Sequence, residues 1–322
     1  MSTFPPGWTT RRPTFDDIPA ILALVHASDI AAVGEPDFSA EDVREALTTP
    51  HTDPAQDCWL AVDPEGEVVG WTYPENPSGG ARDFIEVYVH PERGRPAQRP
   101  LLDLMLARVA ERAAGFGRAA VTARAGAIPT ETHWIDTLTA AGFTFVKRYA
   151  RMRRDLDGVA TQPPAPPEGV GIRPVRADDD GEMRRFHAVI EEAFTDTGEH
   201  PPIDYDSWRA QLAKLPSVAY DEWLVAEADG RWAGVLHSAD QALDRNEGWV
   251  KMLAVLRPYR RRGVGAALLR HAFAVYAAKG RTGAGLGVDL TNPTRPATLY
   301  RSVGMSPVYE ADMFEREVLA AR

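Results

Sequence analysis

The chain has 322 residues, 44% of them apolar, a formal net charge of -10 at pH 7 and one cysteine. That length suits two domains of ordinary size, each with enough apolar residues for a core. The acidic balance argues against a nucleic-acid or anionic-membrane surface, one thiol excludes an intrachain disulfide or a cysteine-rich metal cluster, and no window is apolar for the length of a membrane span.

The opening stretch MSTFPPGWTTRR lacks a signal-peptide run, so a cytoplasmic protein is expected. Next, TRRPTFDDIPAILALVH sets Arg12-Pro13 ahead of the acidic pair Asp16-Asp17 and an apolar helical period. Carboxylates suit a helix N-terminus, where free N–H groups and the positive dipole end meet them. Cys58, within DCWLAV, reads as a small buried core residue. CWLAVDPEGEVVGWTY is strand, turn, strand, turning at Pro64-Glu65-Gly66. DFIEVYVHPERGRPAQRPLLDLMLARV is a strand, a basic Pro-containing loop and an amphipathic helix. RAAVTAR is a further strand, and RYARMRRD (Arg148–Asp155) is a last strand whose arginines are expected to be exposed.

GVATQPPAPPEG then breaks the pattern, since its prolines and glycines cannot sit inside a helix or sheet. It reads as a stiff linker. After it the same order returns. Arg173-Pro174 and Asp178-Asp179 open a helix, Asp229-Gly230 turns a hairpin, and GWVKMLAVLRPYRRRGVGAALLRHAFAVY is strand, basic loop and helix. GLGVDL and VGMSPVYEADMFERE follow as strands. The chain therefore reads as two copies of one α/β unit, residues 1–156 and 170–322, joined by a linker over 157–169.

The loop RPYRRRGVGAALLRH, residues 257–271, carries the chemistry. It joins a strand ended by Pro258 to a helix stopped by Gly280. A helix N-terminus presents N–H groups without intrahelical partners at its positive end, glycines let the backbone curl around a ligand, and arginines add charge. The ligand should carry phosphate. A dinucleotide fingerprint needs a third glycine where Leu268 stands, and the Gly-Lys-Ser/Thr of a P-loop is absent.

The spacing Arg260-x-x-Gly263-x-Gly265 after a strand, with Asn292 and Leu299-Tyr300 downstream, resembles the pyrophosphate loop and second half of the GNAT acetyltransferases. The resemblance covers residues 170–322, and 8–155 more weakly. Two such domains in tandem resemble the mycothiol synthase-like actinobacterial proteins. It implies an α/β fold of two tandem GNAT domains, each a mixed, central, twisted sheet flanked by helices, with acetyl-CoA as co-substrate. Backbone N–H groups around Arg261, Gly263, Val264, Gly265 and Ala266 would hold the pyrophosphate, with Arg260 and Arg262 as its charge partners, the competing reading of Arg262 being a surface arginine that touches nothing. The preceding strand, splayed from its neighbour, would receive the pantetheine arm along Leu253, Ala254 and Val255. The Val255 N–H would polarise the thioester carbonyl. Tyr300 would give the leaving thiolate a proton, the competing reading being a packed aromatic. Asn292 would bond the pantetheine amide, cap the helix entered at Pro293, or both.

An amine that is cationic at neutral pH must lose a proton before attack. Glu247, just before the strand, is the first choice of base, ahead of Asp240 and His237. The segment AFTDTGEHPPIDYDSW, with His200, Asp204, Tyr205, Asp206 and Trp208, would either wall an acceptor pocket or be a surface loop. The eight histidines show no metal-ligand spacing, and no G-x-S-x-G elbow occurs.

In the first half, aligning Pro91 with Pro258 sets Arg93 on Arg260 but Pro96 on Gly263, Gln98 on Gly265 and Pro100 on Ala267; Leu138 takes the place of Tyr300. Proline has no N–H to present. Residues 1–156 are thus expected to keep the fold without the chemistry. The expected activity is N-acetyl transfer to a small-molecule primary amine, directly from acetyl-CoA, since the second half has no cysteine for a covalent relay. The alternatives are a non-catalytic acyl-CoA-binding tandem protein and a protein or peptide N-acetyltransferase.

Overall fold

A computed structural model describes residues 2–36, 38–195, 202–215, 218–243, 245–292 and 294–321. The chain forms two compact units, Met1–Arg148 with Glu310–Arg322, and Tyr149–Tyr309. In chain order the first half gives β1 (Thr9–Arg11), α1 (Ile18–Val33), α2 (Ala40–Thr48) and the single turn α3 (Pro54–Asp57). Then come β2 (Trp59–Val62), β3 (Val68–Glu75), β4 (Arg82–Val89), α4 (Arg95–Gly115), β5 (Ala120–Ala127), α5 (Thr132–Ala140) and β6 (Thr144–Asp155). The second half gives β7 (Val170–Pro174), α6 (Asp180–Phe194), α7 (Tyr205–Leu212), β8 (Leu224–Ala228), β9 (Arg231–Ala239) and β10 (Glu247–Val255). It ends with α8 (Val264–Ala278), β11 (Gly283–Asp289), α9 (Pro296–Ser302) and β12 (Ser306–Leu319).

The repeat read from the sequence is a repeat of topology. The first unit's sheet runs β1-β2-β3-β4-β5-β12, antiparallel except between β4 and β5. The second runs β7-β8-β9-β10-β11-β6, antiparallel except between β10 and β11. The sixth strand of each is exchanged. β12, from the end of the chain, pairs with β5 from Asp312↔Ala127 to Leu319↔Ala120, while β6 enters the second unit and pairs with β11 from Gly283↔Asp155 to Asp289↔Tyr149. The break in sequence composition at 157–169 is thus not the break between compact units. Within that linker Val159 packs on the second unit's core, and the Val170 N–H bonds the Pro167 carbonyl at 3.0 Å.

Strand alternation builds both cores. In the second unit Leu253 and Val255 pack with α8 residues Leu268, Leu269 and Phe273, while Met252 and Ala254 pack on the opposite face with Phe186, Trp208 and Trp223. The first unit repeats this, with Leu101, Leu102 and Met105 of α4 on one face and Ile21, Leu24 and Val43 of α1 and α2 on the other. The acidic pairs lie where expected: Asp179 caps α6, accepting the Glu182 N–H at 3.1 Å, and Asp17 precedes α1. The β8–β9 hairpin turns at Asp229 (φ 54°) and Gly230 (φ 69°), the paired left-handed residues that match strand twist. Cys58 is fully buried, which pushes its thiol up to about 12 and keeps it inert.

The arginines of β6 are not a solvated stripe. Arg148 donates from Nε to Asp312 at 2.5 Å and from Nη2 at 2.8 Å, and Arg154 donates to the Val303 carbonyl at 2.5 Å. Arg151 and Arg153 converge on Glu247, at 2.9 and 2.6 Å. Glycine on β11 makes the space, since a Cβ at Gly283 would lie 2.8 Å from Arg153 Nη2 and one at Gly285 2.9 Å from Trp249. Glu247→Gln leaves two guanidinium groups short of a charge in a mostly buried place. The expected cost is about 2 kcal/mol, or about 4–8 °C in thermal midpoint, with turnover per folded molecule unchanged. Thermal melts beside acetylation assays check this, and lost turnover at an unchanged midpoint would return Glu247 to the chemistry.

Candidate functional site

β10 and β11 stay together only from Glu247↔Gly283 to Trp249↔Gly285. Beyond that pair they part, although β11 continues beside β6 to Asp289 and β10 beside β9 to Val255. The gap opens a cavity of about 1310 Å³, walled by Val250–Val255 on one side and Leu286–Asp289 on the other. The start of α8 and residues of α9 line it too, including Leu299 and Tyr300.

The parting frees backbone groups. The Leu256 N–H bonds the Ala233 carbonyl at 3.0 Å, so Leu256 and Ala254 point their amides at β9. By alternation the amides of Leu253 and Val255 point the other way, into the gap. A buried amide there needs a partner. An extended ligand arm running along β10 would supply one.

At the mouth of the gap α8 begins. Its N-cap is Gly263, at φ 79° in the left-handed region, and no side chain caps the first turn. The opening N–H groups of the helix are left for a ligand, and an anion suits them. Gly263 and Gly265 both permit close approach: an added Cβ would sit 3.1 Å from Pro167 Cγ at the first and 3.0 Å from Leu299 Cδ2 at the second.

The three loop arginines differ in what they touch. Arg260 lines the cavity but donates to the carbonyls of Val255 and Ala193, each at 3.0 Å, bracing the end of β10 to the end of α6. Arg262 does not line the cavity. It pairs with Asp229 at 2.9 Å and lies over the Tyr259 ring, which corrects its reading as a phosphate partner. Arg261, at φ 61°, is exposed, lines the cavity and has no hydrogen-bond or ion-pair partner among the described residues. Arg295, the left-handed N-cap residue of α9, is similarly free and lines the same cavity; the sequence reading missed it.

Tyr300 is partly exposed on α9, packs against the core and lines the cavity. Its hydroxyl has no hydrogen-bond partner among the described residues, and desolvation of that end pushes its pKa up to about 12. It therefore stays a proton donor at any physiological pH. Asn292 lines the cavity with its carbonyl oxygen already committed, accepting from Thr294 N at 2.9 Å and Thr294 Oγ1 at 2.7 Å. α9 starts at Pro296, so Asn292 forms a turn ahead of the helix and does not cap it; Pro293 lies outside the described residues.

The base candidates fare less well. Glu247 is absent from the cavity wall and is 5% exposed, and each of its carboxylate oxygens accepts an arginine hydrogen bond. An oxygen pair so engaged is badly placed to take a proton from an amine, so the reading of Glu247 as base is corrected. Asp240 does not line the cavity either. His237 is buried against Trp223, and that burial pulls its pKa down to about 3, so it is neutral. Of the segment expected to wall an acceptor pocket, Asp204 caps α7, Tyr205 donates to Asp180 at 2.6 Å, Asp206 faces Arg184 at 3.7 Å and Trp208 is core. None of these four lines the cavity, whereas Ala193 and Phe194 at the start of the same segment do, and His200 lies outside the described residues.

In the first unit β4 and β5 also pair over only three residues, Arg82↔Thr122 to Phe84↔Arg124. Its loop is different. α4 starts at Arg95 with Gly94 as N-cap, so by helix starts Gly94 matches Gly263 and Pro96 matches Gly265, two residues off the alignment made on proline. Pro96 still removes a donor from the first turn. Gly94 sits at φ -85° and is closed in by its own unit: an added Cβ would lie 2.2 Å from the Val69 carbonyl and 2.4 Å from the His90 nitrogen. Leu138 is fully buried in the core.

Residues 219–304, which contain the gap, the loop and Tyr300, match a family model described as an acetyltransferase (GNAT) domain. A GCN5-related N-acetyltransferase from Sphaerobacter thermophilus is similar over 99% of this chain and 98% of its own, at 27% identity and a TM-score of 0.82. A tandem GNAT protein from the clavulanic acid biosynthesis pathway shares the fold over 98% of this chain and 100% of its own, at 18% identity and a TM-score of 0.66. None of the curated proteins matches the sequence. The fold is that of tandem GNAT proteins. No helix among the described residues is long and apolar enough to cross a membrane.

Proposed function

We propose that this chain, a GNAT acetyltransferase in fold and in its 219–304 domain, is an acetyl-CoA-dependent N-acetyltransferase acting on a primary amine of a small molecule in the cytoplasm, with all the chemistry in the second unit. One observation carries the reading: the uncapped start of α8, the inward amides of β10 and the unpartnered Tyr300 hydroxyl open onto one cavity.

The roles follow from position. Amides at Gly263, Val264, Gly265 and Ala266 would hold the pyrophosphate, with Arg261 as a free cation on the same loop and Arg260 as a brace. Leu253, Ala254 and Val255 would carry the pantetheine arm. The Val255 amide would stabilise the oxygen on which negative charge builds as the amine nitrogen attacks the acetyl carbon. The C–S bond then breaks, and the sulfur leaves as a thiolate. A phenol near 12 is a weaker acid than a thiol near 8.5. Tyr300 therefore acts first by hydrogen-bonding the developing thiolate, and its proton crosses as the proton lost by the amine returns to the phenol oxygen. Water accepts the amine proton at the start; the one carboxylate in the described wall, Asp289, has its Oδ1 engaged by Thr291. Asn292 keeps its amide N–H₂ for the arm.

The second unit contains no cysteine, so transfer is direct. The mycothiol synthase-like resemblance enters as architecture, and no substrate is carried over from it. Thiol release from acetyl-CoA with a panel of primary amines tests the reading. Release that depends on the amine supports it, whereas binding without turnover supports a tandem acyl-CoA-binding protein.

A further inference from the structure

We infer that the acceptor amine carries a carboxylate-like anionic group, and that Lys251, at a bulge in β10, is the residue that selects it. The inference rests on the acetyl-transfer reading above and names its substrate class.

The sequence hinted at the opposite charge, because the segment around α7 is acidic. The structure spends the described ones, Asp204 and Asp206, on a cap and an ion pair and sets a lysine at the wall. β10 pairs with β9 at Val250↔Ser238 and resumes at Met252↔His237, so Lys251 is the extra residue of a bulge. The bulge also resets which face each side chain takes: Val250 packs on the α8 side, and Met252 on the side of α6 and α7. Lys251 lines the cavity at this switch, four residues and about 13 Å along the strand from Val255. That is the end of the gap away from the start of α8, beyond the reach of the pyrophosphate.

Lys251 brings a positive charge to this end of the described wall and is itself exposed. Lys251 has no hydrogen-bond or ion-pair partner among the described residues. The one carboxylate in the described wall, Asp289, the last residue of β11, accepts from Thr291 N at 2.8 Å and from Thr291 Oγ1 at 2.6 Å, both through Oδ1. Arg261 and Arg295 lie on the loop before α8 and at the start of α9, where phosphates would use them. His237, opposite Met252, is 4% exposed and leaves Nδ1 buried without a partner, but it lies against Trp223 and is not part of the described cavity wall. The Lys251 charge reaches His237 and adds to the burial that keeps it neutral. A carboxylate on the acceptor would pair with Lys251. The same positive charge disfavours the ammonium form of a nearby amine, easing its deprotonation.

The test uses the full chain and matched acceptors: β-alanine against propylamine, 4-aminobutyrate against butylamine, and 1,4-diaminobutane. Acetyl-CoA binding is measured separately by calorimetry. The expected kcat/KM favours each amino acid over its neutral match by on the order of tenfold and is lowest for the diamine. Lys251→Met should erase that preference and Lys251→Glu should turn it toward the diamine, both with acetyl-CoA affinity kept. Equal or better transfer to the neutral amines or the diamine overturns the inference while leaving acetyl transfer intact. So does a preference that survives Lys251→Met, or a protein that binds acetyl-CoA and transfers to none of the panel faster than to water. A protein that binds no acetyl-CoA overturns the underlying reading itself.

Discussion

Gly265→Asp is expected to weaken acetyl-CoA binding by on the order of 100-fold, with the far-UV spectrum of the folded protein kept. Two effects add. A Cβ at this position already meets Leu299 Cδ2 at 3.0 Å, so the Leu299 side chain in the cavity wall must give by a few tenths of an ångström. The new carboxylate then stands beside the amides that would bind phosphate, where it occupies the donors and repels the ligand. Losing hydrogen bonds to a charged group costs about 1.5–3 kcal/mol each, and tenfold in affinity is about 1.4 kcal/mol. An aspartate in the first turn of a helix favours the helix itself, which separates lost binding from lost folding. Unaltered affinity by calorimetry would mean that acetyl-CoA lies elsewhere. Arg261→Ala should show a smaller loss, on the order of tenfold, and the loss should shrink as salt is raised.

Tyr300→Phe is expected to lower kcat by about 10²–10⁴-fold, the usual worth of a positioned acid, and to leave acetyl-CoA affinity nearly unchanged. The ring still packs against the core cluster, and only the unpartnered hydroxyl is lost. The pH profile adds a signature. Burial holds the folded phenol above its ordinary value of 10, at about 12, so the proton-donating form is complete below that and is lost only as pH rises through it. An alkaline fall in kcat near pH 9 would therefore belong to another group and should persist in Tyr300→Phe. Turnover that survives the substitution would make Tyr300 a packed aromatic and nothing more.

The sequence reading placed the elements of the loop correctly because they are local. Strand, basic glycine loop and helix are contiguous, and the left-handed Gly263 and the uncapped start of α8 follow from one short stretch. It failed where partners come from far along the chain. Arg262 read as a phosphate partner because nothing near it shows that Asp229, on a distant hairpin turn, takes it up. Glu247 read as a base because Arg151 and Arg153 lie on a strand assigned to the other half. That strand exchange is invisible to pattern, since periodicity marks β6 and β12 as strands but does not choose their neighbours. The proline alignment slipped by two because helix starts, which fix amide positions, were set by Gly94 and Gly263. Lys251 did leave a mark, a lone charge inside the apolar run WVKMLAVL, and it stands at the bulge.

The central claim is that one of two similar units holds the acetyl-CoA site. The most direct test is the number of acetyl-CoA molecules bound per chain, measured by titration calorimetry. The account predicts one for the natural protein and none for Gly265→Asp over the same concentration range. Two equivalents, or one that persists in Gly265→Asp, would contradict it and put a working site in the unit that carries Pro96 and Leu138.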